Sequence, residues 1–331
     1  MHYRTLGKTG FRVSEIGLGC WQLGGDFGAM EDARAEAILD EAAREGIDFW
    51  DTADVYGAGL SESRIGQWCR EHCDQVGKNR PIIVTKVGRS DELFPNNYTR
   101  ERVRASLLGS LKRIGGDTLD LVQLHCVPIE IIKQGDILAW MDDFQREGLI
   151  RYYGASVETI EEALFCLTQP GIATLQIIFS LFRQDAADEL FAASQAANVG
   201  IIVRLPLASG LLAGRMLASH QFASEDHRNY NRDGKHFNVG ETFAGLPFEK
   251  GVELVDELRK LAPSDMPLGR FALRWILDYP AVSTIIAGAS RPTQVAENSQ
   301  ASDESPLRSD SHKRLVSFYR ERVKPHVRGS V

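Results

Sequence analysis

The chain is 331 residues long, 43% hydrophobic and 25% charged, with a formal net charge of −7. These globular proportions exclude a disordered or collagen-like polypeptide, and the length suits either two domains or one large α/β barrel. The acidic balance argues against nucleic acid or an anionic membrane as partner, since both select clustered Lys and Arg.

The N-terminus, "MHYRTLGKTG", has no apolar signal core, and the most apolar later stretch is interrupted by Arg204 and Pro206. Neither a signal peptide nor a membrane span is expected. Five scattered cysteines suit reduced thiols better than a disulfide framework, so a cytoplasmic location is expected.

In chain order, "YRTL-GKTG-FRVS" reads as two short strands joined by a Gly-bounded turn, a hairpin able to plug the N-terminal end of a barrel. The first barrel strand, Glu15–Cys20, carries "GLG" at 17–19 without the third glycine of a dinucleotide fingerprint. Trp21 and Phe27 follow in its loop as candidate pocket aromatics. "EDARAEAILDEAAREG" is an amphipathic helix with Ala33, Ala37, Ile38 and Ala42 at helical spacing and Gly46 as its stop.

The second strand, Phe49–Ala53, runs into "DTADVYG", which holds Asp51 and Tyr56. "WCREHC" sets Cys69, His72 and Cys73 on one helix face, but its spacing is not that of a structural zinc site and no fourth ligand is evident. No metal is expected, and the helix is read as packing through Trp68. The third strand, Ile82–Val87, carries Lys86, and the helix after it is capped by Thr99 and stopped at Gly115–Gly116. The fourth, Leu119–His125, ends in His125, and the fifth, Arg151–Ser156, ends in Ser156.

After a helix that stops at Pro170–Gly171, the sixth strand, Thr174–Ser180, carries Gln176. The seventh, Ile201–Leu205, carries Arg204, and the eighth is Thr284–Gly288. Between the last two lies a long polar segment, Ser219–Thr242, read as a flap over the site. Eight strands alternating with helices favour a closed (β/α)₈ barrel with the hairpin at its bottom, spanning 1–331 as one domain.

A barrel of this kind places its chemistry at the C-terminal ends of its strands. Taken singly, Lys86 could be a snorkelling strand-end lysine, Asp51 its ion-pair partner and His125 a satisfied core imidazole. Four titratable groups at the mouths of three consecutive strands instead compose a proton-transfer device. A phenol titrates near about 10, and a neighbouring ammonium lowers that value. Lys86 is expected to do this for Tyr56, held in place by Asp51, while His125 orients a substrate oxygen.

As a set, "DTADVYG", "VTKVG", "LDLVQLH", "GAS" and "IIAGASRPTQVAEN" resemble the aldo-keto reductases, in matching order from about Met1 to Asn298. The resemblance implies a (β/α)₈ barrel, NADPH bound without a Rossmann domain, and Asp51, Tyr56, Lys86 and His125 as a catalytic tetrad. Tyr56 would be the general acid when a small-molecule carbonyl accepts hydride, and its phenolate the base when an alcohol is oxidised. Ser156 and Gln176 match the partners of the nicotinamide carboxamide, whereas Val157 stands where many members have asparagine.

Arg204 takes a strand-seven position where an aromatic ring often stacks on the nicotinamide. Leu207, Ser209, Gly210 and Leu212 would approach the pyrophosphate through backbone amides. Ser290, Arg291 and Gln294 resemble the residues that hold the adenosine 2′-phosphate, which implies NADPH over NADH. Glu297 and Asn298 would meet the adenine, and Trp21, Asp51 and Gly288 complete the cofactor set. Substrate choice is expected from Trp21, Phe27, the flap and the tail from Ser299 to Val331.

Two other readings compete. One is a redox-sensing barrel with little turnover, of the kind that resembles the potassium-channel β subunits. The other is a barrel hydrolase or isomerase using Lys86 or His125, which would not need the Ser156, Gln176 and Arg204 set.

Overall fold

The structure is a computed structural model that describes residues 1–73 and 80–330. Two strands, β1 (Tyr3–Thr5) and β2 (Arg12–Ser14), pair antiparallel with Arg4 opposite Val13. Eight more follow: β3 (Ile16–Gly19), β4 (Phe49–Asp51), β5 (Ile82–Val87), β6 (Leu119–His125), β7 (Ile150–Ser156), β8 (Ile172–Ile178), β9 (Gly200–Arg204) and β10 (Val282–Gly288). Each runs parallel to the next, and β10 closes onto β3 with Ile285 opposite Ile16, giving a (β/α)₈ barrel with no free edge. All eight strands lie where the sequence predicts them, with ends shifted by no more than two residues.

Alternation along the strands sorts the side chains into two cores. Outward residues such as Trp50, Ile83, Val122, Leu175 and Ile285 merge with the helices into one large cluster. Inward residues Phe49, Val84, Leu121, Ile202 and Ile286 form a separate, smaller one with Leu6 and Val13 of the hairpin. The hairpin therefore fills the barrel's lower end from inside, as expected. Gly200 admits it: a Cβ there would stand 2.7 Å from Leu6 Cδ1 and 2.9 Å from Leu6's carbonyl carbon. Arg4 fastens the hairpin to the barrel by donating to Glu15 at 2.7 Å and to the carbonyl of Val282 at 2.8 Å.

The helices start and stop largely for the local reasons read from sequence. Thr99 accepts from Arg102 N, Thr159 and Glu162 form a reciprocal capping box, and Gly46 takes a left-handed φ of 73° just past its helix. One stripe is rotated. Helix Asp32–Arg44 buries Ala35, Ile38, Leu39 and Ala42, while Ala33 is exposed and Ala37 half-buried. Alanine marks a face weakly, and the larger apolar areas of Ile38 and Leu39 decide which side turns inward. Helix Leu60–His72 packs Trp68 edge-on against Trp50 at 4.8 Å, and His72 stacks on Trp68 at 4.7 Å. Among the described residues no helix is long and apolar enough to cross a membrane.

Candidate active site

The inward face changes character one layer above the apolar plug. In β4 the inward residues are Phe49 and then Asp51, in β5 Val84 and then Lys86, and in β9 Ile202 and then Arg204, so each strand ends in a polar group aimed into the barrel mouth. Tyr56 reaches this layer because the "DTADVYG" turn curls back, with Tyr56 N donating to Ala53 O and Ala58 N to Val55 O, both at 3.2 Å. Gly57 permits the curl, since its φ is +57° and a Cβ there would stand 2.2 Å from Gly24 O. Thr52 Oγ1 donates to Ser61 Oγ, which donates to Cys20 O, both at 2.8 Å, and this ties the turn to the loop carrying Trp21.

Lys86 Nζ organises the centre. It donates to Asp51 Oδ1, to Thr52 O at 2.8 Å and to Tyr56 Oη at 3.1 Å, which uses all three ammonium hydrogens. Asp51's other oxygen accepts from Gln176 Nε2 at 2.7 Å, and Gln176 Oε1 accepts from Ser156 Oγ at 3.4 Å. His125 meets Tyr56 edge to face with ring centroids 6.0 Å apart, and its Nδ1 is buried without a protein partner. The four groups expected from the sequence thus surround one point.

Their electrostatics differ from expectation in one respect. Burial pushes the Tyr56 hydroxyl up to about 12, and the Lys86 ammonium offsets only part of that while Asp51 adds to it. The lowering expected from Lys86 is present but outweighed, because the phenol loses more in hydration than the ammonium returns. Burial alone would lower Lys86, but Asp51 and Tyr56 hold it above the ordinary lysine value. His125 lies well below the usual imidazole range through burial and the charges of Lys86, Arg89 and Arg204. It is a neutral ring beside a neutral phenol.

A second polar cluster lies alongside. Arg89 donates to Glu241 Oε1 at 3.0 Å and stands 3.7 Å from Glu158, while Arg204 lies 3.6 Å from Glu241 and donates to Val157 O at 3.2 Å. Arg204 and Glu241 line the same cleft as Tyr56 and His125. Sequence reasoning singled out Arg204 and missed Arg89, Glu158 and Glu241 around it. Arg89 and Glu158 carried a usable signal, lying three residues past Lys86 and two past Ser156 in the loops that bear the chemistry. Glu241 arrives from the flap and has no local signal.

The flap lies across the barrel mouth. His227 N donates to Asp26 O at 3.3 Å, and the His227 ring sits between Trp21 at 4.6 Å and Phe27 at 4.3 Å. Trp21 stacks on Tyr56 at 5.7 Å, so Trp21 and Phe27 form an aromatic wall of the cleft.

The remaining predicted residues divide. Ser156, Gln176, Leu207, Ser209 and Gly210 line the cleft, as do Gly288, Ser290 and Gln294 farther along. Leu212 does not: its side chain is in the core, and its amide, like that of Gly210, donates to Leu207 O. Those two amides close a tight turn, while Leu207, Ser209 and Gly210 remain on the cleft wall. Ser209's hydroxyl bridges Glu241 O at 3.2 Å and Phe243 N at 3.3 Å.

Arg291, Glu297 and Asn298 lie outside the cleft lining. Arg291 donates to Thr293 Oγ1 at 3.0 Å, and Glu297 pairs with Arg215 at 3.1 Å. Among the described residues none beyond Gln294 lines the cleft, but the tail packs on the flap, Arg328 donating to Asp233 at 2.8 Å and to Arg232 O at 3.0 Å. Arg328 also donates to Gly245 O at 2.9 Å, Ser330 O accepts from the buried Arg183, and Arg322 pairs with Glu257 at 2.9 Å.

The comparisons agree with this geometry. The model of the Aldo/keto reductase family matches residues 15–320. The chain is 30% identical over 307 residues to the aldo-keto reductase YhdN of Bacillus subtilis, covering 89% of this chain and 87% of that one. It is also 30% identical over 333 residues to a "probable voltage-gated potassium channel subunit beta" of Oryza sativa subsp. japonica, covering 93% of each. Among solved structures it is similar to the holo form of aldo-keto reductase AKR11C1 from Bacillus halodurans, with a TM-score of 0.77, 27% identity and 96% of each chain covered. With the barrel, the polar mouth and these matches in hand, the chain belongs to the aldo/keto reductases, a family of oxidoreductases that use nicotinamide cofactors.

Proposed function

We propose that the protein reduces an aldehyde or ketone to an alcohol with NADPH, and that Tyr56 is the general acid. The observation that carries this reading is the hydrogen-bond chain from Asp51 through Lys86 Nζ to Tyr56 Oη, beside the unpartnered Nδ1 of His125. A bound nicotinamide dinucleotide would supply the hydride. Tyr56, kept protonated by burial, holds the proton for the carbonyl oxygen, and Lys86 points the phenol by occupying one of its lone pairs. His125, neutral and with one N–H to give, orients the same oxygen.

The residues fit the cofactor. Ser156 and Gln176 offer a hydroxyl and a primary amide side by side, suited to a carboxamide. Arg204 Nε is buried and unpartnered on the same side. At the far end, Gln294 Oε1 accepts from Ser290 N at 2.8 Å and Oγ at 3.0 Å, which holds the two side chains together near Arg291 as a candidate 2′-phosphate subsite. The preference for NADPH is checked by comparing kcat/KM with NADPH and NADH, and equal values would remove it.

The mechanism is tested by Tyr56→Phe. Carbonyl reduction should fall by about 10²–10⁴-fold while NADPH still binds, and full activity would defeat the assignment. The relative named as a potassium-channel β subunit favours a second reading, a dinucleotide-binding barrel with little turnover. Sustained turnover over a panel of small aldehydes separates the two.

A further inference from the structure

The second cluster has a charge pattern that the proton-transfer chain does not explain. Arg204's guanidinium bonds the carbonyl of Val157, the residue after Ser156, and so reaches from β9 across the end of β8 to β7. Ser156 stands opposite Gln176 in the register of β7 and β8. The guanidinium therefore lies beside the pair suited to a carboxamide, and the flap brings Glu241 against it.

We infer that Glu241 sets which oxidation state of the nicotinamide ring this cleft prefers, its carboxylate offsetting the guanidiniums of Arg204 and Arg89 so that the cationic oxidised ring is tolerated. The inference rests on the cofactor reading above.

The charges around the ring position can be counted. Lys86 and Asp51 cancel as a buried pair. Among the described residues Arg89 and Arg204 are met by Glu241 and Glu158, while Arg183, which packs behind Gly240, feels the charges of Asp185 and Glu158 and donates to Ser330 O. Glu158 is the weaker compensator, since it is 3.7 Å from Arg89, partly exposed and also engaged by Asn238 Nδ2 at 3.0 Å. Glu241 is 9% exposed and contacts both Arg89 and Arg204. Losing hydride turns the nicotinamide from neutral to cationic, so deleting this one negative charge penalises the oxidised form and leaves the reduced form nearly untouched.

The test compares affinities, not rates. Dissociation constants for NADP⁺ and NADPH are measured by calorimetry on the wild type, Glu241→Gln and Arg204→Gln. Glu241→Gln should raise the ratio of the NADP⁺ constant to the NADPH constant by about 10- to 100-fold, the scale of one unit charge several ångströms away at an effective dielectric of about 20. Arg204→Gln, which removes a positive charge from the same cluster, should move the ratio the other way. Arg89→Gln gives the same sign and stands in should Arg204→Gln fail to fold.

A flap that Glu241 merely pins would weaken both forms together, and that outcome, or an unmoved ratio, overturns the inference while leaving the proposed reduction intact. A wild type that binds neither form removes the cofactor reading and this inference with it.

Discussion

Replacing Lys86 with methionine is the sharpest probe of the buried chain. The ammonium is 1% exposed and its partner Asp51 2%, so the substitution strands a carboxylate that keeps only Gln176 Nε2 at 2.7 Å and the more distant charge of Arg204. Breaking a buried pair from one side costs roughly 3–5 kcal/mol. Burial already raises Asp51 above the ordinary carboxyl value in the intact pair, and loss of Lys86 removes the largest influence holding it down.

In the variant, then, the folded chain keeps a proton on Asp51 that the unfolded chain gives up near about pH 3.9. A folded-state value above the unfolded one gives stability that is complete at low pH and lost as pH rises through the folded value. The Lys86→Met deficit should therefore be largest near pH 8 and shrink by up to ~1.4 kcal/mol for each unit the pH is lowered while the folded carboxyl stays protonated and the unfolded one does not. Urea unfolding at pH 5 and pH 8 reads this directly, and Asp51→Asn in the same background should recover most of the loss at pH 8. Equal deficits at both pH values with no rescue would show that Lys86 stabilises by packing, and the account of a charge-held centre would fail.

Two other predictions are cheaper. Because His125 lies well below the usual imidazole range and Tyr56 near about 12, kcat/KM for carbonyl reduction should show no histidine-like step between pH 6 and pH 9. A clear inflection near about 6.5 would assign His125 a protonated role instead. Gly200→Ala should lower the urea midpoint by the equivalent of about 1–3 kcal/mol, because its methyl would meet Leu6 in the barrel plug. An unchanged midpoint would mean the hairpin shifts freely.

What could be read in advance follows the range of the physical signal. Strand period and strand-end position are local, so the eight strands, the hairpin and the polar groups at the ends of β4, β5, β6 and β9 could be located from a few residues each. Thr99 was legible as a cap for the same reason. The buried stripe of the first long helix was not, because Ala33 and Ala37 carry too little area to compete with Leu39. The sign of the Tyr56 shift also escaped, since a sequence names the nearby ammonium but not how much water the fold removes. Glu241 and the course of the tail against the flap depend on where long segments land, which no local pattern encodes.

That division explains the arrangement at the barrel mouth. The Asp51, Lys86 and Tyr56 centre is assembled almost wholly from strand ends and one tight turn, elements whose positions the barrel dictates, and its two charges cancel within hydrogen-bond contact. Positions fixed in this way suit a reaction that fails when its groups are misplaced by about 1 Å. The neighbouring guanidiniums are instead balanced by a carboxylate on a loop with its own turns, tied to the rest by Ser209's hydroxyl and by the Asp26 to His227 contact. Changes to the flap can therefore retune the cleft's charge and its aromatic wall without moving Asp51, Lys86, Tyr56 or His125. In the reduction proposed above, chemistry rests on the strand-end layer and selectivity on the long loop above it, so that one barrel keeps a single proton path while varying what it reduces.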